Sequence, residues 1–518
     1  MARARHFEWK WLILGGLIIA ALAAAIFLNT NVTDYSANKI MSSIAVDNSD
    51  LKINWDRYQT VDIELSETLN ISESGTYHLT GSLHDGQVII DAGVGEVRLI
   101  LDNVNINNYT GPAILCHNAE NLVIELVGNS TLSDGNTYSA TYDEDIDGTI
   151  YSKGDLAFSG IGTLNILANY KDAIVGKDDV KFNSGNYYIT TADDAIRGKD
   201  SVYIVDGNFE ITSTGDAIKS SNENDHGKGF VLVESGNISI VAGAKGINSV
   251  NSILIYSGDL NIESYDDSVH SDNYVGIVGG NLEINAGDDG IHADREFIVD
   301  GGTINIVKSY EGLEAQIINL NDGSISIISS DDGINAGGGA DSSGTNHPGA
   351  DPFKADENAL VNINGGSIYI NASGDGIDSN GFLNFNDGNV IVDGPTDNGN
   401  GALDSGLGIE IQGGTVIAVG SSGMAESLGA NSGICNLSIY FDSLQPADTN
   451  VRIQDSSANT VIEHTSAKTF SHLAAGSKAL VPGETYTIYL NEEPYQTFTI
   501  SEVTTTIGKD NFPNHFRL

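Results

Sequence analysis

Basic residues are scarce in this chain: 24 Lys and Arg stand against 70 Asp and Glu over 518 residues, a formal charge of −46. That balance excludes nucleic acid as a partner, because phosphate binding requires a basic surface. It suits bound cations, a high-salt habitat, or both. Cysteine is nearly absent. Cys116 and Cys435 lie far apart and read either as small buried residues or as one disulfide, and no CxxC metal site is encoded. Proline is scarce, at 8 residues, and no Gln/Ser tracts mark disorder. Helical spacing is missing beyond residue 28.

One long uncharged run does occur. Trp11–Leu28 spans 18 residues without a charge, behind Arg3, Arg5 and Lys10. It meets the lower limit for crossing a bilayer, with the basic flank cytoplasmic. The expected order is a basic flank at 1–10, a transmembrane anchor or cleaved signal at 11–28, and a linker at 29–50. Either way the rest of the chain is exported, to the outer face of the cell membrane or beyond it.

What is abundant is glycine, 60 residues, and a repeat. The residue before each small-then-aliphatic pair falls at Asp172, Asp194, Asp216, Lys245, Asp267, Asp289, Glu311, Asp332 and Asp375, mostly in steps of 22. A glycine marker at Gly185, Gly207, Gly236, Gly258, Gly280 and onward keeps the same phase. Around it apolar residues alternate: Val180, Phe182, Tyr187 and Ile189 become Val202, Ile204, Phe209 and Ile211. Period two means strand, about three short ones per repeat. Such a unit cannot bury its own apolar side, whereas stacked copies can. The pattern predicts an all-β right-handed parallel β-helix over 51–421, capped near Asn54–Ser72, with a C-terminal β-strand capping domain at 422–518. A leucine-rich repeat is set aside because its Leu spacing and Asn ladder are missing. A propeller blade would need about twice the period.

Stacking places the anchor carboxylates roughly 4.8 Å apart. Repulsion between two such charges is about 1 kcal/mol in water and several-fold more when desolvated. Three things could offset it. Each aspartate could cap its own turn. Lys171, Arg197, Lys199 and Lys219 could pair with the early turns. Calcium could bridge adjacent turns, since it takes six to eight oxygens in flexible geometry. The metal candidates are Asp172, Asp193, Asp194, Asp216, Asp266, Asp267, Asp272, Asp288, Asp289, Asp294, Asp331, Asp332 and Asp375. The middle turns come first, because Arg295 is their only basic neighbour in sequence. His270 and His292 are stacked equivalents; an imidazole pair can bind a transition metal of the zinc type, but the oxygen-rich surroundings favour a hard ion, and a plain exposed column is expected.

Two insertions, Ser221–Gly229 and Gly337–Ala359, interrupt the same turn. Insertions on one edge of a solenoid build its functional face. Arg197, Lys199, Lys219, His270 and His292 are the ligand-binding candidates there. Tyr188, Tyr203, Tyr256, Tyr274 and Tyr369 are candidate outward platforms for sugar rings.

The repeats "DAIVGKDDVKFNSGNYYIT", "DAIRGKDSVYIVDGNFEITSTGDAIKSSNEND" and "SKGDLAFSGIGTLNI" closely resemble a carbohydrate-binding family of cellulolytic bacteria. The resemblance covers about Asp50 to Ser421. It implies a polysaccharide-lyase-like right-handed parallel β-helix, Ca2+ at the turn aspartates, and a cellulose or pectin-like polysaccharide partner. It does not imply catalysis. The alternatives are a calcium-dependent pectate lyase, with Lys177, Lys199 or Lys219 as base, and a structural or adhesive surface stalk.

Overall fold

Gly and Asp turns cut most repeats into three strands, Ile196–Gly198, Ser201–Ile204 and Asn208–Ser213 in one turn and Ile218–Ser220, Phe230–Val233 and Asn237–Ala242 in the next. Each strand pairs in parallel with its equivalent, Ile196 with Ile218, Val202 with Val231 and Phe209 with Ile238. The computed structural model describes residues 36–337 and 355–508. It is a parallel β-solenoid of about 15 turns with almost no helix. The glycine marker has a steric cause. Gly258 lies at φ 112°, and a Cβ there would meet the Gly236 carbonyl at 2.9 Å.

The alternating apolar residues fill the interior as expected, Val180, Phe182, Tyr187 and Ile189 among them. Aromatic rings stack from turn to turn, Phe158 on Phe182 at 4.8 Å and Tyr187 on Phe209 at 4.7 Å. Burying each such ring contributes on the order of 2 to 3 kcal/mol. Outside, asparagines do form ladders, contrary to the sequence reading. Asn208 donates to Asn186 at 2.9 Å and Asn237 donates to Asn208 at 2.7 Å. They lie at outward strand ends, which the period of the apolar residues does not reveal.

Thr60–Leu65 already pairs in parallel with Thr76–Gly81, so the stretch expected as an N-terminal cap carries solenoid strands. Within the segment expected as a linker, residues 36–46 lie along the outer face of the Ser201–Ile204 strand stack. Ala37 and Ile40 pack on Tyr203, Phe230, Leu232, Leu254 and Ile298. Asp300 accepts hydrogen bonds from the Ser36 hydroxyl and the Ala37 amide, both at 2.9 Å, and Lys39 pairs with Glu296 at 2.7 Å. Among the described residues no helix is long and apolar enough to cross a membrane, and Trp11–Leu28 lies outside them.

At the other end the last parallel strand, Thr415–Gly420, pairs antiparallel with Phe470–Ser477. Its alternation serves two cores: Val416 and Ala418 face the solenoid interior, while Ile417 and Val419 face a second core with Leu437, Ile439 and Val451. A four-stranded antiparallel sheet completes that unit. Cys116 belongs to the first core and Cys435 to the second, and both are free, so the disulfide alternative is not formed.

Candidate cation column and flanking groove

Strand register builds two charged columns side by side. The anchor residues form one. The residues three positions later form the other: Arg197, Lys219, Asn248, His270, His292, Glu314, Asn335, Asp378 and Asp404.

Each anchor aspartate spends one oxygen on a backbone amide, but of the following turn rather than its own. Asp172 accepts from the Asp194 amide at 3.2 Å, Asp194 from Asp216 at 2.8 Å, Asp216 from Lys245 at 3.0 Å and Asp267 from Asp289 at 3.1 Å. The pattern continues from Asp289 to Glu311 at 3.1 Å and from Asp332 to Asp375 at 2.6 Å. The aspartates therefore cap the next turn instead of their own, which ties neighbouring turns together.

The second oxygen divides the column into three zones. In the early turns Arg197 bridges Asp172 and Asp147 at 2.5 and 2.7 Å, and Lys219 bridges Asp216 and Asp194 at 2.8 and 3.3 Å. In the middle, Lys245 reaches Asp267 at 2.5 Å and Asp266 at 3.4 Å, while His270 contacts Asp267 at 2.8 Å and Asp272 at 3.2 Å. Burial alone would raise the Asp267 carboxyl, but His270 and Lys245 outweigh it and hold it well below the usual carboxylate range. The middle turns, expected as the first place for calcium, thus carry basic partners, while one oxygen from each of Asp266, Asp267 and Asp288 lies within 4.8 Å of the others. Lys245 is 22 residues from Asp267 in sequence but one turn away in space, so Arg295 is not their only basic neighbour.

In the late turns the compensation stops. Among the described residues no Lys, Arg or His pairs with Asp332, Asp375, Asp378 or Asp404. Burial, and then the neighbouring carboxylates, push Asp332 and Asp378 up to about 7 and Asp375 up to about 8. One oxygen from each of Asp332, Asp375 and Asp378 lies within 4.8 Å of the others. Three carboxylates of this kind fit a hard divalent ion such as Ca2+. Of the remaining metal candidates, Asp193 is exposed, Asp331 takes the Tyr310 hydroxyl, and Asp272 and Asp294 face the two histidines.

The ligand-binding candidates are placed differently from expectation. His270 and His292 are 7% and 1% exposed, not an outer column. Arg197 and Lys219 are committed to the carboxylates beside them, and only Lys199 stands exposed. As a catalytic base Lys219 is ill placed. Burial would favour its neutral form, but Asp216 and Asp194 outweigh it and raise the ammonium further above its ordinary range. Lys177 pairs with Asp145 at 3.5 Å. Of the two insertions, Ser221–Gly229 holds the N-terminal segment through the Gly227 carbonyl and the Ala45 amide, at 2.9 Å, whereas 338–354 lies outside the described residues.

Tyr203, Tyr256 and Tyr274 pack against residues 36–46, and Tyr369 gives its hydroxyl to Asp393 at 2.9 Å. Tyr188 is exposed, as expected. The tyrosine the sequence reading passed over is Tyr265, 82% exposed. It lines an open groove of about 890 Å³ with Val241, Glu263, Asp266, Asp288 and Lys308. Gly243 and Gly287 hold its place one turn either side, so no side chain screens the ring from the neighbouring turns. That glycine–tyrosine–glycine column was the available signal.

Three comparisons with known proteins bear on this arrangement. A family model described as "Carbohydrate-binding domain-containing protein" matches residues 66–333, a stretch that contains the whole groove. A carbohydrate-binding domain-containing protein of Acetivibrio thermocellus is 31% identical over 156 residues, which is 29% of this chain and 54% of that protein. The chain thus matches about half the length of that relative. A solved structure, the polysaccharide lyase-like protein from C. thermocellum as a gadolinium derivative, is 29% identical, with a TM-score of 0.41, over 42% of this chain and 96% of that one. The family match takes in just over half of the 518 residues, and the chain belongs to the carbohydrate-binding domain-containing family.

Proposed function

We propose that this protein binds polysaccharide in the groove around Tyr265, and that Ca2+ at Asp332, Asp375 and Asp378 neutralises the late turns of the solenoid. The carrying observation is the groove itself, an open flank with one bare aromatic ring among polar groups. A sugar ring presents C–H groups to an aromatic face and hydroxyls to carboxylates and amines, so Tyr265 stacks while Glu263, Asp266, Asp288 and Lys308 exchange hydrogen bonds. An open groove accepts a chain that continues past both ends. The acidic rim favours a neutral glycan such as cellulose over a polyuronate, unless calcium bridges the like charges.

The test is co-sedimentation with cellulose and affinity electrophoresis in pectate, each with calcium and with chelator. Tyr265→Ala is expected to lower retention about tenfold, because a stacked ring is worth on the order of 1 to 2 kcal/mol and anchors the register of its neighbours. Retention unchanged by this substitution would move the binding surface elsewhere. Release of unsaturated, ultraviolet-absorbing product would instead establish the lyase alternative.

A further inference from the structure

The middle of the charged columns holds a group that differs in kind from the carboxylates above and below it. Nδ1 of His292 lies 2.9 Å from Glu314 Oε2 and 3.3 Å from Asp289 Oδ2. One oxygen of Asp289 and one of Glu314 also lie within 4.8 Å of each other. One nitrogen and two oxygens, from two successive turns, thus converge on one point. A single ring N–H faces both carboxylates and cannot fully serve the two.

From this geometry we infer that Asp289, His292 and Glu314 form a site for a divalent transition-metal ion of the zinc type. Tetrahedral Zn2+ with bonds of about 2.0 Å sets its ligand atoms roughly 3.3 Å apart, close to the spacings already present. A nitrogen donor turns the preference away from Ca2+ and Mg2+ and towards Zn2+ or Co2+.

A second observation points the same way. Metal-ligating histidines almost always give their other ring N–H to a carboxylate, carbonyl or water. Nε2 of His292 faces Asp294 Oδ1 at 3.2 Å. Asp289 is oriented likewise, its other oxygen accepting the Glu311 amide at 3.1 Å. The ligands are therefore held from behind. The neighbouring His270 is not part of the set, since the Asp267 oxygen that faces its Nδ1 is also taken by the Lys245 ammonium. This inference is independent of polysaccharide binding and of calcium in the late turns.

The test uses the chelator-stripped full chain. Titration with Co2+ should give one saturable event with the visible absorption of a four-coordinate ion, bleached by stoichiometric Zn2+ and left in place by a hundredfold excess of Ca2+. Glu314→Gln should weaken Zn2+ at least tenfold, and His270→Asn should leave it within about threefold. Absence of a saturable cobalt spectrum in the unsubstituted protein, or its displacement by Ca2+, overturns the inference whatever the variants do. Loss of binding in His270→Asn with retention in Glu314→Gln overturns it as well, in favour of Asp267, His270 and His292.

Discussion

Asp375 illustrates how one carboxylate can serve structure and ion binding at once. Its Oδ1 accepts the Gly401 amide at 2.5 Å, while Asp332 and Asp378 crowd its other side. All three carboxyls are raised above the value they would have in an unfolded chain. The stabilising state is therefore the protonated one, fully present below about pH 4. It is lost as pH rises through 7 to 8, where the folded groups give up their protons. Metal-free protein is expected to lose stability between about pH 5 and 8, and millimolar calcium to remove most of that slope. Thermal unfolding across that range, with calcium and with chelator, measures both. Asp375→Asn keeps the oxygen that caps Gly401 and removes a charge. It should raise the midpoint of the metal-free protein at pH 8 and abolish the calcium response. A calcium response that survives this substitution would take the ion away from these three residues.

At the scale of strands and segments, the sequence disclosed most where the physics is local. Val202, Ile204, Phe209 and Ile211 alternate within a single turn, so their burial is legible without knowing their neighbours. His270 and His292 are a different case. Each follows an aspartate by three residues and reads as polar surface, yet both are buried because the carboxylates and the lysine of adjacent turns close over them. Pairing across turns is invisible to a reading along the chain, and the same holds for the way Arg197 and Lys219 are committed. The segment over 36–46 was missed for another reason. Its apolar residues, Ala37, Ile40, Met41, Ile44 and Val46, are too few and too unevenly spaced to announce a strand or a long helix. Their partner is the outer face of a sheet, where Gly276 allows close approach. A Cβ at Gly276 would lie 2.8 Å from Ile40. Gly276→Leu should therefore lift the segment and destabilise the protein by about 1 to 3 kcal/mol, the usual range for overpacking. Limited proteolysis should then cut within residues 36–46 well before the solenoid. Equal protection in both proteins would show that the segment contributes no covering.

Across the whole molecule, a parallel solenoid must end, and an open end is an unpaired edge that invites other chains. Here the end is closed by an antiparallel strand and by a hydrogen-bonded contact around Asp393, 1% exposed. His464 reaches Asp393 at 2.7 Å, Ser466 at 3.1 Å and Tyr369 at 2.9 Å. Burial would raise this carboxyl, but these partners lower it, so the contact is present at neutral pH and lost only as acid protonates Asp393. A chain ending at Ser421 would strip His464 and Ser466 from a buried charge, expose Ile417 and Val419, and free the edge of Thr415–Gly420. Removing the partner of a buried ion costs on the order of 3 to 5 kcal/mol, so the unfolding midpoint should fall sharply. Association should follow the charge. The chain carries −46 in full, and at low ionic strength that self-repulsion keeps truncated molecules apart. Screening shortens the reach of the repulsion to about 10 Å at 0.1 M salt. The truncated protein should then be monomeric by light scattering in dilute buffer and associate end to end as salt or calcium is added, while the full chain stays monomeric throughout. If truncation left both the midpoint and the salt response unchanged, the C-terminal unit would be a passenger on the solenoid and not its cap.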